Sequence, residues 1–451
     1  MTNVENFREI SVEQALALTN ALLYRHTGHH LSNVQSAVFR EAWTGSRKTY
    51  EQLAQELQYS TNYIKQGVGP KLWRMLTEII GDKVTKTTVR TVLGEYFTSS
   101  TIQSENRIER PEGVVALDSP FYIDRGDSER VCLQEIDSIG AFIRIKAPRE
   151  MGKTSLLNRV LAHAKNRDCD IVLLNFQQAE AALRADTRRL LRWVCANLLL
   201  QLKQSEALNN YWDDDLGSKM SCNLVIESAI LRHQNKPLIL AFEEVNELLE
   251  YPDVAHEFLT LLRFWHERVK VDESWRSLRL VMVHSTEIYL SLDTNQSPLN
   301  IGLGIDLKPF SRSEVIQLVE CHQLQFSLEQ IDQVLELTGG HPYLVRLTLY
   351  HCVSQGKPVS QIIESAAMDT GIYHQHLHRH LRHLQQYPDL AQAFHTVLTT
   401  KTPIAISQIS GFKLQSLGLI TLTGNQAMVS CQLYQQYFAA RLKSISDVTP
   451  A

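Results

Sequence analysis

Residues 145–156 read "IKAPREMGKTSL", and they carry the first decision about this chain. The end of the stretch, Gly152-Lys153-Thr154, has the form of a phosphate-binding loop. Its start does not, because Ala147-Pro148 stands where the pattern G-x-x-x-x-G-K-[ST] has glycine. In that pattern backbone N–H groups curl around the phosphates, Lys neutralises charge and the hydroxyl holds Mg2+. Lys153 and Thr154 supply the charged and hydroxyl roles, and Gly152 permits close backbone approach. A helix starting near Ser155 directs its dipole at the anion. A methyl group on Ala147 is tolerable at negative φ, and Pro148, which lacks an N–H, stands at an end of the loop that need not donate. The expected cradle is Ala147, Pro148, Arg149, Glu150, Met151, Gly152, Lys153, Thr154 and Ser155. In isolation these letters also fit a surface turn, so the flanks must choose.

The flanks choose the phosphate loop. "AFIRIKA" (141–147) reads as a strand before it, and an amphipathic helix follows. Further apolar runs at 170–176, 237–244, 278–285 and 305–310 alternate with helical stretches. Near-continuous Val/Ile/Leu strands separated by helices predict a parallel five-stranded sheet covered on both faces. One of these strands, "PLILAFEE", ends in Glu243 and Glu244. Glu243 stands at the position expected to serve Mg2+ beside Thr154, with one methylene more than the usual Asp, and Glu244 at the position that orients an attacking water. The bland alternative is an exposed acidic helix start.

Outside 116–311 the pattern is different. Residues 1–97 read as helical, and "YEQLAQELQYSTNYIKQGVGPKLW" has the cadence of a helix-turn-helix. The polar, aperiodic stretch 98–115 reads as a linker. Residues 312–388 are helical again, with Gly339-Gly340 breaking two helices, and 389–451 resemble a winged helix with "TLTGNQAMV" as its hairpin.

Composition excludes several classes. The 451 residues carry a net charge of −4 with 21% charged and 44% hydrophobic residues, an ordinary globular balance that argues against bulk polyanion binding. Seven scattered Cys without a C-x-x-C pair point to reduced thiols. The polar N-terminus and the shortness of the apolar runs lead to the expectation of a cytoplasmic protein with no membrane partner. Between 46 and 90, eight Lys/Arg against four Asp/Glu give a local charge of +4. Thr61, Asn62, Lys65, Lys71 and Arg74 are accordingly candidates to contact double-stranded DNA, or else the basic face docks on protein. The run "YHQHLHRHLRHL" (373–384) has His at metal-compatible spacing, but reads as a solvated helix face.

The motifs together resemble a family. "LDSPFYIDR" (117–125), the phosphate loop, "SWRSLRLVMVHSTEIYL", "GGHPYLVRL" (339–347) and "LYQQYFAARL" look like the AAA-like domain of STAND-type P-loop ATPases of the cyanobacterial kind. The head resembles the N-terminal helix-turn-helix of vWA–MoxR-associated proteins. The resemblance implies an α/β P-loop NTPase with a helical lid and a C-terminal winged helix, preceded by an all-α helix-turn-helix domain, with ATP and Mg2+ as cofactors. It implies that Ser285 and Thr286 sense the γ-phosphate, that His341 and Pro342 pack on adenine, and that Tyr122 and Arg125 close over the base. Arg263, Arg268 and Arg346 become candidate arginines of the lid or of a neighbouring copy. Asn246 departs from the family's usual D-E-V-D by losing a charge. Three functions follow: a nucleotide-controlled switch with slow hydrolysis, acting on a protein partner in signalling or defence or through a nucleotide-dependent homo-oligomer; an ATP-dependent DNA-binding transcription or mobile-element factor; and a structural adaptor with an inactive pocket.

Overall fold

A computed structural model describes residues 11–27, 31–46, 48–57, 59–104, 108–285, 301–400 and 402–446. Contacts divide the chain into two compact units, 1–108 and 109–451.

The first unit contains α1 (Val12–Thr27), α2 (Asn33–Trp43), α3 (Tyr50–Glu56), α4 (Gly69–Ile80) and α5 (Val89–Ser104). Ser32 and Thr49 cap α2 and α3 through reciprocal bonds with Gln35 and Gln52, which fixes where each helix starts. Between α3 and α4 the polar turn leads into a wide helical turn, Tyr63–Val68, before α4 begins. Pro70 in the first turn of α4 has no N–H to give. Gly69 lets the Tyr50 ring approach closely, and Trp73 Nε1 donates to Tyr50 Oη at 2.8 Å. Leu53, Ile64, Leu72 and Leu76 fill the helix-turn-helix core. Helix α5 runs into the stretch read as a linker, and the second unit already begins at Glu109.

The second unit opens with α6 (Asp127–Ile136), β1 (Phe142–Ala147), α7 (Lys153–Asn166) and β2 (Asp170–Asn175). Next come α8 (Ala181–Arg184), α9 (Thr187–Gln201), α10 (Leu208–Tyr211), α11 (Ser218–Leu224), β3 (Leu238–Glu243), α12 (Pro252–Arg268), β4 (Leu278–Ser285) and β5 (Leu303–Asp306). The sheet is parallel with order β2-β3-β4-β1-β5. Side chains alternate across it. Ile143 and Ile145 meet Leu156, Leu157 and Val160 of α7, while Phe142, Leu280 and Met282 meet α9 and α12 on the other face. Each fully buried Leu contributes roughly 1.5–3 kcal/mol, so α7 is clamped just behind the loop it follows.

The fifth strand ends earlier than its apolar run suggests. Leu307 N still bonds Lys146 O at 3.1 Å, but Phe310 N turns away to Gly340 O at 2.7 Å and joins the lid. That lid comprises α13 (Arg312–Cys321), α14 (Leu328–Thr338), α15 (Pro342–Ser354), α16 (Val359–Glu364) and α17 (His374–Gln386). The winged helix has α18 (Pro388–Thr399), β6 (Ile404–Ala405), α19 (Gln408–Ser416), β7 (Ile420–Thr423), β8 (Gln426–Val429) and α20 (Gln432–Ser446), with the hairpin in a β6-β8-β7 sheet. One continuous core joins Leu344 and Leu377 of the lid to Phe394, Tyr434 and Phe438 of the winged helix. Among the described residues no helix is long and apolar enough to cross a membrane.

Candidate functional site

The loop between β1 and α7 is where the sequence expects phosphate. Gly152 has φ 91°, and a Cβ built on it meets no atom within 4 Å, so the backbone there borders open space. The first N–H groups of α7 have no acceptor within the helix and point toward that space. Lys153 is buried, and its Nζ donates to Ala147 O at 3.0 Å and Pro148 O at 2.9 Å. These carbonyls park the ammonium at the mouth of the loop. Ser155 ties the helix to the preceding segment, accepting from Val115 N at 3.0 Å.

Across from the loop, Thr154 Oγ1 hydrogen-bonds Glu243 Oε1, and Asn175 Nδ2 donates to Glu243 Oε2 at 3.2 Å. A hydroxyl and a carboxylate thus share one edge beside an ammonium, a donor set that suits Mg2+ and phosphate. Glu244 adopts φ 54°, a left-handed conformation uncommon for a non-glycine residue, and accepts from Asn246 Nδ2 at 3.2 Å. Asn246 Oδ1 in turn accepts from Ser285 N at 3.0 Å. Ser285 ends β4 in register with Ala147 of β1, and its buried Oγ has no partner among the described residues. One asparagine therefore connects the acid to the neighbouring strand end. Thr286 lies outside the described residues.

The lid meets the loop through Glu150, which is also left-handed at φ 62°. His376 Nδ1 lies 2.7 Å from Glu150 Oε2, and Arg379 Nη2 donates to Glu150 Oε1 at 2.6 Å. Tyr434 Oη of the winged helix hydrogen-bonds His376 Nε2 at 2.7 Å. Burial would raise the Glu150 pKa, but His376 and Arg379 outweigh it and hold the carboxyl at about 2. His341 is buried and hydrogen-bonds the backbone of Arg149, and burial pushes its pKa down to about 3. Pro148 packs on Gly418, where an added Cβ would sit 3.2 Å away.

These contacts correct one reading. The His run is not a solvated face: His376 and His380 are 2% and 7% exposed, on the same stripe as the buried Leu377 and Leu384. That stripe was visible in the spacing. Arg379, which reaches the loop from 229 residues further along the chain, had no signal in the sequence.

The remaining expected residues each have partners or neighbours within the fold. Tyr122 Oη donates to Glu129 at 2.6 Å, and its ring is covered by Arg159 at 3.5 Å. Arg125 lies over Phe310 and bonds Lys308 O. Both brace the segment ahead of β1. Pro342 starts α15 directly after His341. Arg263 and Arg268 pair with Glu267 and Asp272 on or beside their own helix, and Arg346 is buried near Glu109 and Phe121. A cavity of about 590 Å3 touches Ala147, Pro148 and Met151 of the loop and His341, and is lined further by His284, Met282 and the winged helix, not by Lys153 or Thr154. In the first unit Asn62, Lys71 and Arg74 are exposed and Thr61 half-buried, whereas Lys65 pairs with Glu51 at 3.0 Å.

No curated protein matches the sequence. Among solved structures, a Walker-type ATPase of Pyrococcus abyssi is 14% identical with a TM-score of 0.48, covering 70% of this chain and 96% of its own. The Aeropyrum pernix ORC2 protein is 15% identical with a TM-score of 0.40, covering 76% of this chain and 97% of its own. The Thermotoga maritima RuvB protein is 9% identical with a TM-score of 0.34, over 73% of this chain and 96% of its own. The model of the vWA-MoxR associated protein N-terminal HTH matches residues 10–96. The model of the AAA-like domain matches residues 110–440, and with most of the chain inside that span the protein belongs to the AAA-like domain family.

Proposed function

We propose that this protein is an ATP–Mg2+-binding regulatory switch. The observation that carries this reading is Glu150, a residue of the phosphate loop held by the lid through His376 and Arg379 and, through His376, by Tyr434 of the winged helix. Any ligand that reshapes the loop acts on Glu150, and a switch needs such differential contact between its two states. In this reading the N–H groups of residues 149–155 and Lys153 hold the phosphates. Thr154 and Glu243 hold Mg2+, which supplies charge neutralisation on the phosphate oxygens when bound. Ser285, with its bare hydroxyl, and Thr286 read the terminal phosphate. Glu244 orients water for a slow hydrolysis. His341 and Pro342 on one side, and Tyr122 and Arg125 on the other, border the base. The output is a protein partner of a signalling or defence system, or assembly with further copies of the chain.

Thermal melts and calorimetry with ATP–Mg2+ test the pocket. At a concentration 100 times Kd, ligand stabilises the native state by about 2.7 kcal/mol, and Lys153→Ala abolishes the gain. No stabilisation of the wild type would leave the structural adaptor as the better account. Hydrogen exchange tests the switch. ATP should change protection in α17 and α20, and binding that leaves both unchanged would reject the coupling.

A second reading, ATP-dependent DNA binding, is favoured by the exposure of Asn62, Lys71 and Arg74 on the basic helix-turn-helix.

A further inference from the structure

The contact between loop and lid gathers donors of a different kind. One oxygen of Glu150, one ring nitrogen of His341 and one of His376 all lie within 4.8 Å of one another. They come from the phosphate loop, the turn that starts α15, and α17, so the fold alone brings them together. We propose that Glu150, His341 and His376 form a binding site for a divalent transition cation of the Zn2+ class, distinct from the Mg2+ edge at Thr154 and Glu243.

Several features support a cation over a purely structural hydrogen-bond cluster. Zn2+ takes imidazole nitrogen at about 2.0–2.1 Å and carboxylate oxygen at about 2.0–2.2 Å, and two His with one Glu plus an open fourth position is an established set for it. Tetrahedral ligand atoms lie roughly 3.4 Å apart, so the Glu150–His376 pair, now at 2.7 Å, opens by about 0.7 Å while His341 closes by about 1.5 Å or less. Metal-binding imidazoles are usually oriented by a hydrogen bond at the far nitrogen. Here Tyr434 Oη occupies Nε2 of His376 at 2.7 Å, leaving Nδ1 toward Glu150. His341 is held by the backbone of Arg149, and its Nδ1 is buried with no hydrogen-bond partner among the described residues. A buried imidazole with one unpartnered nitrogen, standing within 4.8 Å of a carboxylate and a second imidazole, has a lone pair that an ion can use. Both rings must be neutral to bind; when His376 gives its Nδ1 lone pair to the ion, the ring proton resides on Nε2, and Tyr434 Oη accepts a hydrogen bond from that N–H.

Arg379 sets the sign of the test. Its guanidinium bonds Glu150 at 2.6 Å and lies 3.4 Å from His376 Nδ1, so it competes with a cation for the same carboxylate. It also lines, with Arg382, Tyr343 and His374, a cavity of about 450 Å3 that reaches Glu150 and His376 from outside. A cation entering by that route displaces Arg379 toward the solvent side. Once bound, the ion would staple the phosphate loop to the lid.

The experiment uses the full chain, tag removed, chelator-stripped and dialysed, titrated calorimetrically with ZnCl2 and spectroscopically with Co2+, in the absence of nucleotide. This keeps its outcome separate from that of the ATP reading. One equivalent should bind. Glu150→Gln and His376→Gln should each weaken binding by about 100-fold, and Tyr434→Phe by about tenfold. Arg379→Met should tighten it, an effect that mere structural damage does not produce. The half-buried pair His374 and His378, changed together to Ala, should leave it unaltered. If a His variant fails to fold, the near-isosteric Glu150→Gln still decides. The proposal is overturned if the wild type binds no Zn2+, if Glu150→Gln binds as tightly as wild type, or if binding is lost only in the His374/His378 variant.

Discussion

Tyr434 shows how much depends on single polar atoms in this interior. It is 2% exposed, and its hydroxyl meets His376 Nε2 at 2.7 Å. Tyr434→Phe removes the partner and leaves a buried ring nitrogen unsatisfied, which costs about 1–3 kcal/mol. Urea unfolding should show that loss as a lower midpoint at constant slope; a midpoint within experimental error of wild type would mean the bond contributes nothing. Gly152 carries a different expectation. Gly152→Ala has room for its Cβ but not an easy φ, so folding stability should fall by only about 1 kcal/mol. Nucleotide affinity should fall much further, because the methyl group lies where the backbone approaches phosphate. Equal losses in folding and binding would contradict that assignment. The grouping of Lys153, Thr154 and Glu243 as a candidate site was legible from spacing alone, and the fold brings Thr154 and Glu243 into contact. The role of Glu150 was not, since its partners are defined only by the folded lid.

At the scale of elements, the sheet and the lid are joined at Gly340. Its φ is 72°, and an added Cβ would lie 2.3 Å from Phe310 O, the carbonyl of the residue whose N–H it accepts. Gly340→Ala combines backbone strain with a backbone clash, so it should destabilise the second unit by about 2–3 kcal/mol or more, measured by denaturant unfolding. In the helix-turn-helix, Lys71 and Arg74 are exposed on α4 opposite Leu72, Trp73 and Leu76. Reversing both to Glu should leave folding within about 0.5 kcal/mol. If this helix contacts DNA phosphates, the slope of log affinity against log salt should drop by about 2. An unchanged slope would reject the DNA reading. Lys65 is a weaker probe, because Glu51 already holds it.

For the molecule as a whole, acid should be the destabilising direction. His322 is 6% exposed, between Phe121 at 4.5 Å and Leu318 O at 2.8 Å. Burial, reinforced by Arg346, pushes its pKa down to about 4, and burial does the same to His284 beside Arg144, Lys146 and Lys153. An unfolded His titrates near 6.5. The unfolded chain therefore binds more protons below that pH, and the contribution is complete above about 6.5 and lost as pH falls toward 4. At pH 5 the loss is on the order of 2 kcal/mol for His322. Unfolding midpoints at pH 7.5 and 5 should differ accordingly, and His322→Gln should shrink the gap. The sequence by itself determined the local chemistry and the class of fold. Strand and helix periods, the Gly-Lys-Thr end of the loop and the double acid after β3 are readable because each depends on residues a few positions apart. Only the tertiary structure decided that Glu150 meets His341, His376 and Arg379, that His376 is buried, and that β5 stops short to reach Gly340. Those facts arise from packing between segments as much as 229 residues apart, and no local period records such contacts.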